Sequence, residues 1–505
     1  MVGIPTQFAK LARTSPWSPA VTCCGDTISR RELDLSSNRL ARAYARLGVA
    51  TGDYVTIMLP NSIEWYQATL AVWKLGAIPQ PLPPLLSRSE LDDILALTPR
   101  ALIVGRTDLA TTGASVPAGY RPAGFSDGPL PEVVSPAWKA MASGGNVGTP
   151  KLIEATSNSQ VDLAALGRTF AFEPDQTQLV TDRLSDNNAL MSSLLGLSLG
   201  QHLVVLPKFN ARNMLRLIAE HRISFVSTVP AVLQRVLIEY RKNPSAHDLS
   251  SLRRVWHGAA SCPPAVKRAW IDIVGPDRIW EYFSSTEQQA GTIINGLDWM
   301  THPGSVGTVA FGQIEARRSD GSVCAPGEIG ELFLRPSDGP TYRYIGAIPE
   351  KHGEWETVGD LGYFDEDKFL YLSDRRVDMF DVGDSKVYPA EVESALSAHP
   401  SVRSCLVVGV PDAALGQVPY ALIETEGGRE IGPDRMRGFL RQRLTDNRIP
   451  RYFEYVDRPL LDGAGKARRR AARQEIISRI APSRIPLRSM DYVSATSTND
   501  AGTDD

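Results

Sequence analysis

Short apolar runs alternate with amphipathic, helix-length runs along most of this 505-residue chain. No other feature constrains its fold as tightly. Residues 31–47 repeat apolar side chains at helical spacing, with Leu33, Leu40, Tyr44 and Leu47 on one face. Tyr54-Val-Thr-Ile-Met-Leu59 reads as a buried strand that stops at Pro60-Asn61. Residues 63–75 read as helix again, and Gly76-Ala-Ile-Pro-Gln-Pro81 as the start of an irregular connection. The pattern returns as helix over 211–221, strand over 225–229 and helix over 230–240. Strand–helix alternation with brief Gly/Pro punctuation implies α/β layers around a largely parallel sheet.

The pattern changes near Asp374. Upstream, residues 327–334 and 362–372 read as antiparallel strands. Downstream, residues 389–399 read as helix, 402–410 as strand and 434–446 as helix, which makes a separate small α+β domain. The polar, aperiodic end of the chain reads as a disordered tail.

Composition is that of an ordinary globular protein, 43% hydrophobic and 22% charged. A formal net charge of −3 without a basic domain argues against nucleic-acid binding. Five cysteines without CxxC spacing predict a reduced, cytoplasmic protein with neither disulfide framework nor zinc site. The N-terminus has no signal-peptide pattern. Residues 190–206, the most apolar stretch, are interrupted by polar side chains and read as buried helix and strand rather than a membrane span.

Ser143-Gly-Gly-Asn-Val-Gly-Thr-Pro-Lys151 concentrates Gly144, Gly145 and Gly148. Such a loop can lay backbone N–H groups against phosphate oxygens, with Lys151 as a point charge. It is not a Walker loop, because no Gly-Lys-Ser/Thr follows. Five signals come after it. His257-Gly-Ala-Ala-Ser261 follows a strand read over 252–256 and offers backbone to a flat ligand. Phe283-Ser-Ser-Thr-Glu287 gathers an aromatic face, hydroxyls and a carboxylate. Trp355-Glu-Thr-Val-Gly-Asp360 ends in a Gly-Asp turn, with Asp374-Arg375 beyond it. Val382-Gly-Asp-Ser-Lys-Val-Tyr-Pro-Ala-Glu391 enters a helix, and Gly465-Lys466 lies on a late loop. Singly each has a plain structural reading: turns, core aromatics, a solvated lysine.

In this order, over residues 27–473, the motifs resemble the adenylate-forming superfamily, which includes acyl-CoA synthetases, firefly luciferase and the adenylation domains of peptide synthetases. Gly52-Asp-Tyr-Val-Thr-Ile-Met-Leu-Pro-Asn-Ser-Ile-Glu64 and Leu70-Ala-Val-Trp-Lys-Leu-Gly-Ala-Ile-Pro79 look like that family's N-terminal block. Ala259-Ala-Ser-Cys-Pro-Pro264 and residues 299–307 and 355–360 look most like CoA ligases for bile-acid-type and other bulky acids. The resemblance implies an α/β fold: a large N-terminal domain with stacked sheets and a small antiparallel-containing subdomain, then a small mobile α+β domain. The boundaries it implies are 1–374, a hinge at 375–378 around Val377, 379–483, and a tail at 484–505.

The family roles fall on matching positions. Ser143, Gly145, Gly148 and Lys151 would hold the ATP pyrophosphate. Phe283, beside Tyr282, would stack on adenine opposite Ala259, Ala260 and Ser261. Thr286 would bond the α-phosphate, and Glu287 would hold Mg²⁺ through the phosphates. Asp360 and Arg375 would take the ribose. Lys466 would bridge carboxylate and α-phosphate as charge develops. Gly383 and Lys386 would help guide CoA. Asn187, Asn188, Trp256, His257, Gly258 and Ala259 would line the acyl pocket. The resemblance implies ATP or acyl-AMP, Mg²⁺, CoA and a carboxylic acid as reactants, no nucleic acid or membrane span, and leaves a homodimer open.

This chain also departs from the family pattern. Gly144, Asn146 and Val147 stand where the family commonly has Ser/Thr, and Val147 has no side-chain donor. Phe283-Ser284 replaces Tyr-Gly, Leu184-Ser-Asp-Asn-Asn188 lacks an aromatic-His pair, and Asp384 replaces a Gly. A lost charge-assisted hydrogen bond costs about 1.5–3 kcal/mol. These losses fall mainly on the ATP side. The resulting expectation is a CoA-thioester-forming enzyme for a bulky hydrophobic, polycyclic terpenoid- or steroid-like acid, as in a terpenoid antibiotic pathway. Its adenylation would be weakened or lost, and a second ligase would supply the acyl-AMP. The alternatives are a complete two-step ligase, an acyl-AMP ligase loading a carrier protein, and a protein that only binds the adenylate.

Overall fold

The computed structural model describes residues 2–86, 88–108, 113–142, 151–174, 176–376, 378–382, 385–412, 415–461, 468–480 and 493–494. The chain divides into two units. One comprises Met1–Ala259, Ala269–Glu315 and Phe333–Val358; the other comprises Ala260–Arg268, Ala316–Leu332 and Gly359–Asp505.

The larger unit is built around a nine-stranded sheet. Its parallel centre runs Ile279–Ser284, Arg254–His257, Phe225–Thr228, Thr177–Val180, His202–Val205 and Pro19–Cys23, with antiparallel strands at both edges. Helices Asn187–Leu199, Ala211–Glu220 and Pro230–Lys242 connect these strands, as the alternation predicts. Local signals fix their ends. Asn210 caps the second by accepting from the Asn213 N–H, Pro230 opens the third, and Gly200 closes the first at φ +98°. Ser29 and Glu32 form a capping box that starts Arg30–Arg46. Leu33, Leu40 and Tyr44 of that helix are buried, but Leu47 lies beyond its end and is exposed.

A second, four-stranded sheet is wholly parallel: Ile78–Pro81, Tyr54–Ile57, Arg100–Gly105 and Ala114–Pro117. Ile78–Pro81 corrects the expected irregular connection. It is an edge strand, and the donors to its single neighbour include Ile78 N–H to Asp53 and Leu82 N–H to Ile57. The nitrogens of Pro79 and Pro81 face the side on which, among the described residues, no strand pairs, so no ladder bond is lost. A third, antiparallel sheet joins Tyr342–Ile345, Leu152–Ala155 and Ala140–Ala142.

In the smaller unit, Val402–Asp412 pairs antiparallel with Gly416–Thr425, which pairs parallel with Tyr452–Tyr455. Strand periodicity sorts the side chains. Val407, Ala421 and Ile423 enter one core with helices Pro389–Ser397 and Pro433–Leu440. Leu406, Val408, Val410, Tyr420 and Leu422 enter another beneath Arg469–Ile480. The helix expected over 434–446 stops at Leu440. The single strand expected over 362–372 is a hairpin, Trp355–Phe364 with Leu370–Arg375, turned at Asp365, whose carboxylate accepts the Phe369 N–H. Gly359-Asp360 is not a turn but lies within the first of these strands. Gly359 at φ +84° and a register shift after Leu361 bend it there. Of residues 484–505 only Val493–Ser494 is described, as a short strand beside Tyr452–Tyr455. Among the described residues no helix is long and apolar enough to cross a membrane.

Candidate active site

The parallel strands Thr177–Val180, Phe225–Thr228, Arg254–His257 and Ile279–Ser284 lie in register and end together. Beyond those carboxyl ends come Asp182, Gly258-Ala259 and Thr286-Glu287. Ligands of open α/β sheets bind in the crevice at such ends.

Glu287 lies on the turn that reverses Ile279–Ser284 into Gly291–Asn295, and it is buried. Thr341 Oγ1 donates to its backbone carbonyl at 2.7 Å, and Tyr344 Oη donates to its Oε1 at 2.5 Å. Lys151 Nζ is 4.0 Å from the same carboxylate oxygen and 3.5 Å from the centroid of the Tyr344 ring. Antiparallel register explains the meeting: Ile345 pairs with Leu152, so Tyr344 and Lys151 flank the start of that ladder. Burial, and next the Glu287 charge, push the Tyr344 phenol up, which keeps it a neutral donor. Gln289 and Tyr342 both donate to Glu356, bracing the turn from behind. Glu287 and Lys151 therefore set a buried carboxylate and a cation side by side at these strand ends. Among the described residues no cluster of three or more His, Cys, Asp or Glu could hold a metal. A Mg²⁺ held by one carboxylate and substrate phosphates fits this donor set.

A second group of side chains lies along the same strand ends. Asn188 Oδ1 accepts from Tyr282 Oη at 2.6 Å and from Ser227 Oγ at 3.1 Å. Trp256 meets Phe170, Trp280 and Tyr282, with ring centroids 5.3–6.2 Å apart. Gly258 is required here, because a Cβ would lie 2.8 Å from the Tyr282 carbonyl oxygen and 2.9 Å from its ring. His257 is fully buried, with Nδ1 3.8 Å from Glu281 Oε1. Lys139 Nζ donates to Asn187 Oδ1. Asp182 Oδ1 accepts from Thr228 at 3.1 Å and Thr181 at 3.2 Å, and burial raises its carboxyl to about 7.

The structure thus brings together Lys151 with Glu287, and Asn188 with Tyr282. Thr286 and Phe283 are half-buried on the same strand and turn. Ala259 is exposed at φ +65°. In the smaller unit Ala260 and Ser261 are exposed, Asp360 pairs in register with Arg375, and Lys386 is exposed on Ser385–Val387. Ser143, Gly145, Asn146, Val147, Gly148, Val377, Gly383, Asp384 and Lys466 lie outside the described residues. The motifs did not identify Tyr344, Thr341, Lys139, Ser227 or Asp182. The nearest hint was the aromatic pair in Tyr342-Arg-Tyr344, which no spacing rule ties to Glu287.

Comparison with known proteins accounts for this layout. The family model described as AMP-binding enzyme matches residues 8–132 and 140–341, and that for the AMP-binding enzyme C-terminal domain matches 391–466. A feruloyl-CoA synthase of Amycolatopsis sp is 28% identical over 494 residues, covering 92% of this chain and 97% of that protein. A 2-succinylbenzoate–CoA ligase of Geobacillus kaustophilus is 27% identical over 94% of this chain and 99% of its own length. An anthranilate CoA ligase solved with anthranoyl-AMP superposes at a TM-score of 0.83, with 22% identity, over 95% of this chain and 98% of that one. That likeness confirms the expected fold, a large α/β domain with several sheets and a small C-terminal domain. With more than half of its length matched, the chain belongs to the AMP-binding enzyme family.

Proposed function

We propose that this protein is a complete ATP-dependent acid–thiol ligase that makes a CoA thioester through an acyl-adenylate. The observation that carries this reading is Glu287, buried, held by Tyr344 and faced by Lys151 at the end of the last parallel strand. In the first step a carboxylate oxygen attacks the α-phosphorus of ATP and pyrophosphate leaves with the P–O electron pair. Two anions must approach, so the charge of Lys151 offsets their repulsion, and a Mg²⁺, which Glu287 would hold through the phosphates, would supply further charge stabilisation. In the second step the CoA sulfur attacks the acyl carbon and AMP leaves. No protein nucleophile is needed, because the adenylate is already activated.

Thr286, Phe283, Asp360, Arg375 and Lys466 keep the roles that the family resemblance gives them, as proposals. The relatives support both steps, since full-length matches include proteins named CoA synthase and CoA ligase. The weakened-adenylation reading rests on Asn146 and Val147, which lie outside the described residues, so the first step is to be measured on its own. The acid is a ring-bearing, bulky one, a class that includes the polycyclic terpenoid and steroid acids. Gly258 flat against Tyr282, with Trp256 and Phe170 beside it, supports a flat ring over a short aliphatic chain. The test is acid-dependent ATP–pyrophosphate exchange over a panel of aryl and polycyclic acids, followed by CoA-dependent AMP release. Exchange without thioester, but with loading of a holo-carrier protein, would reassign the acceptor.

A further inference from the structure

Among the described residues Lys139 is a buried cation without an ion-pair partner. It precedes Ala140–Ala142 and is 2% exposed. Among the described residues its contacts are the Asn187 Oδ1 that it donates to and the Trp138 ring, 4.5 Å from Nζ. An amide oxygen takes one of the three ammonium hydrogens and cancels no charge. Burial accordingly draws the amine down to about 7, opposed only in part by the charge of Glu287. Lys74, buried in the same unit, shows the usual solution: its Nζ meets Asp34 Oδ1 at 2.6 Å and Ser37 and Asn38 at 2.7 Å.

The neighbours of Lys139 repeat its imbalance. Asn188, next along the helix from Asn187, has a buried Nδ2 with no acceptor, as does Nε1 of Trp256, which is 2% exposed. Ser227 pairs in register with Trp256, so both side chains share the face on which Ser227 reaches Asn188. Both of these unsatisfied groups are donors; Asp182 Oδ2, also without a partner at these strand ends, belongs to a carboxyl whose proton burial helps to retain. Buried donors without acceptors are costly, and such imbalance concentrates where a ligand completes the set.

We propose that Lys139 is a specificity-determining residue: it receives a second carboxylate of the acid substrate, distinct from the one that reacts, with Asn188 and Trp256 as further donors to that group. This rests on the reading that Asn187, Asn188 and Trp256 line the acyl side of a ligase.

The test uses pairs of aryl acids that differ only in a ring carboxylate against a ring methyl group, with the substituent at each ring position. Their binding to the full-length protein is titrated calorimetrically, and KM and kcat are read from ATP–pyrophosphate exchange. The carboxy member of at least one pair is expected to bind about tenfold tighter or more. In Lys139→Met that ratio collapses to within about twofold, through KM rather than kcat. Asn187→Asp, which gives the amine an internal carboxylate, collapses it too and serves if Lys139→Met does not fold. Equal binding of all pairs by the wild type, or equal weakening of both members by Lys139→Met, would overturn the proposal. A carboxylate preference in binding without exchange for any acid would sink the ligase reading and leave the recognition claim standing.

Discussion

Glu287 is held in place by its neighbours. Its backbone is tied by Thr341 and its carboxylate by Tyr344, with Lys151 behind the same oxygen. Glu287→Gln keeps the shape and one acceptor oxygen but loses the charge. ATP–pyrophosphate exchange is expected to fall at least about 100-fold, measured with saturating acid. Tyr344→Phe keeps the ring under Lys151 and removes the donor, so KM for MgATP should rise about tenfold with a smaller change in kcat. Asp182 gives a pH signature. Its folded-state value of about 7 lies above the ordinary 3.8, so the folded protein keeps a proton that the unfolded chain releases. Stability therefore falls as pH rises from about 4 to about 7 and levels off above. Asp182→Asn mimics the protonated form and should raise Tm at pH 8 with little gain at pH 5. A pH-independent difference would contradict this. At this scale the sequence displayed Glu287 and Lys151, because short motifs carry them. Tyr344 lies 57 residues from Glu287 and reaches it only through the ladder of Tyr342–Ile345 with Leu152–Ala155. Pairing of that range leaves no local trace.

At the scale of elements, the strand ends are packed too closely for substitution. Gly258→Ala would drive a Cβ into the Tyr282 backbone and ring. A loss of about 1–3 kcal/mol is expected, seen as a lower Tm, together with a raised KM for the acid. Helices were legible where caps and periodicity agreed, as in Arg30–Arg46 and Pro230–Lys242. Misreadings arose where tertiary context overrode a local signal. Prolines at 79 and 81 suit an edge strand that, among the described residues, pairs on one side alone. Gly359 bends a strand instead of ending it: its carbonyl accepts the Arg376 N–H, and the residues from Asp360 onward pair with Leu370–Arg375. In the smaller unit Glu454 is buried between the Tyr420 hydroxyl and a two-pronged Arg479. Arg479→Ala would leave that carboxylate half-answered and should lower Tm through the docking of Arg469–Ile480.

At the scale of the whole molecule, the chain divides into two units and matches the models for the AMP-binding enzyme and its C-terminal domain. Alternation of element types made the α/β class readable, and motif order made the family readable, because both survive low identity. The identity of the acid was not readable, since the wall proposed for it draws on residues 139, 187–188, 227 and 256–258, far apart in sequence. The most direct test is ATP–pyrophosphate exchange without CoA over a panel of ring-bearing acids, then CoA addition with AMP and thioester quantified. The account predicts acid-dependent exchange, then one AMP released per thioester formed. No exchange with any acid, while synthetic acyl-AMP and CoA still yield thioester, would contradict it.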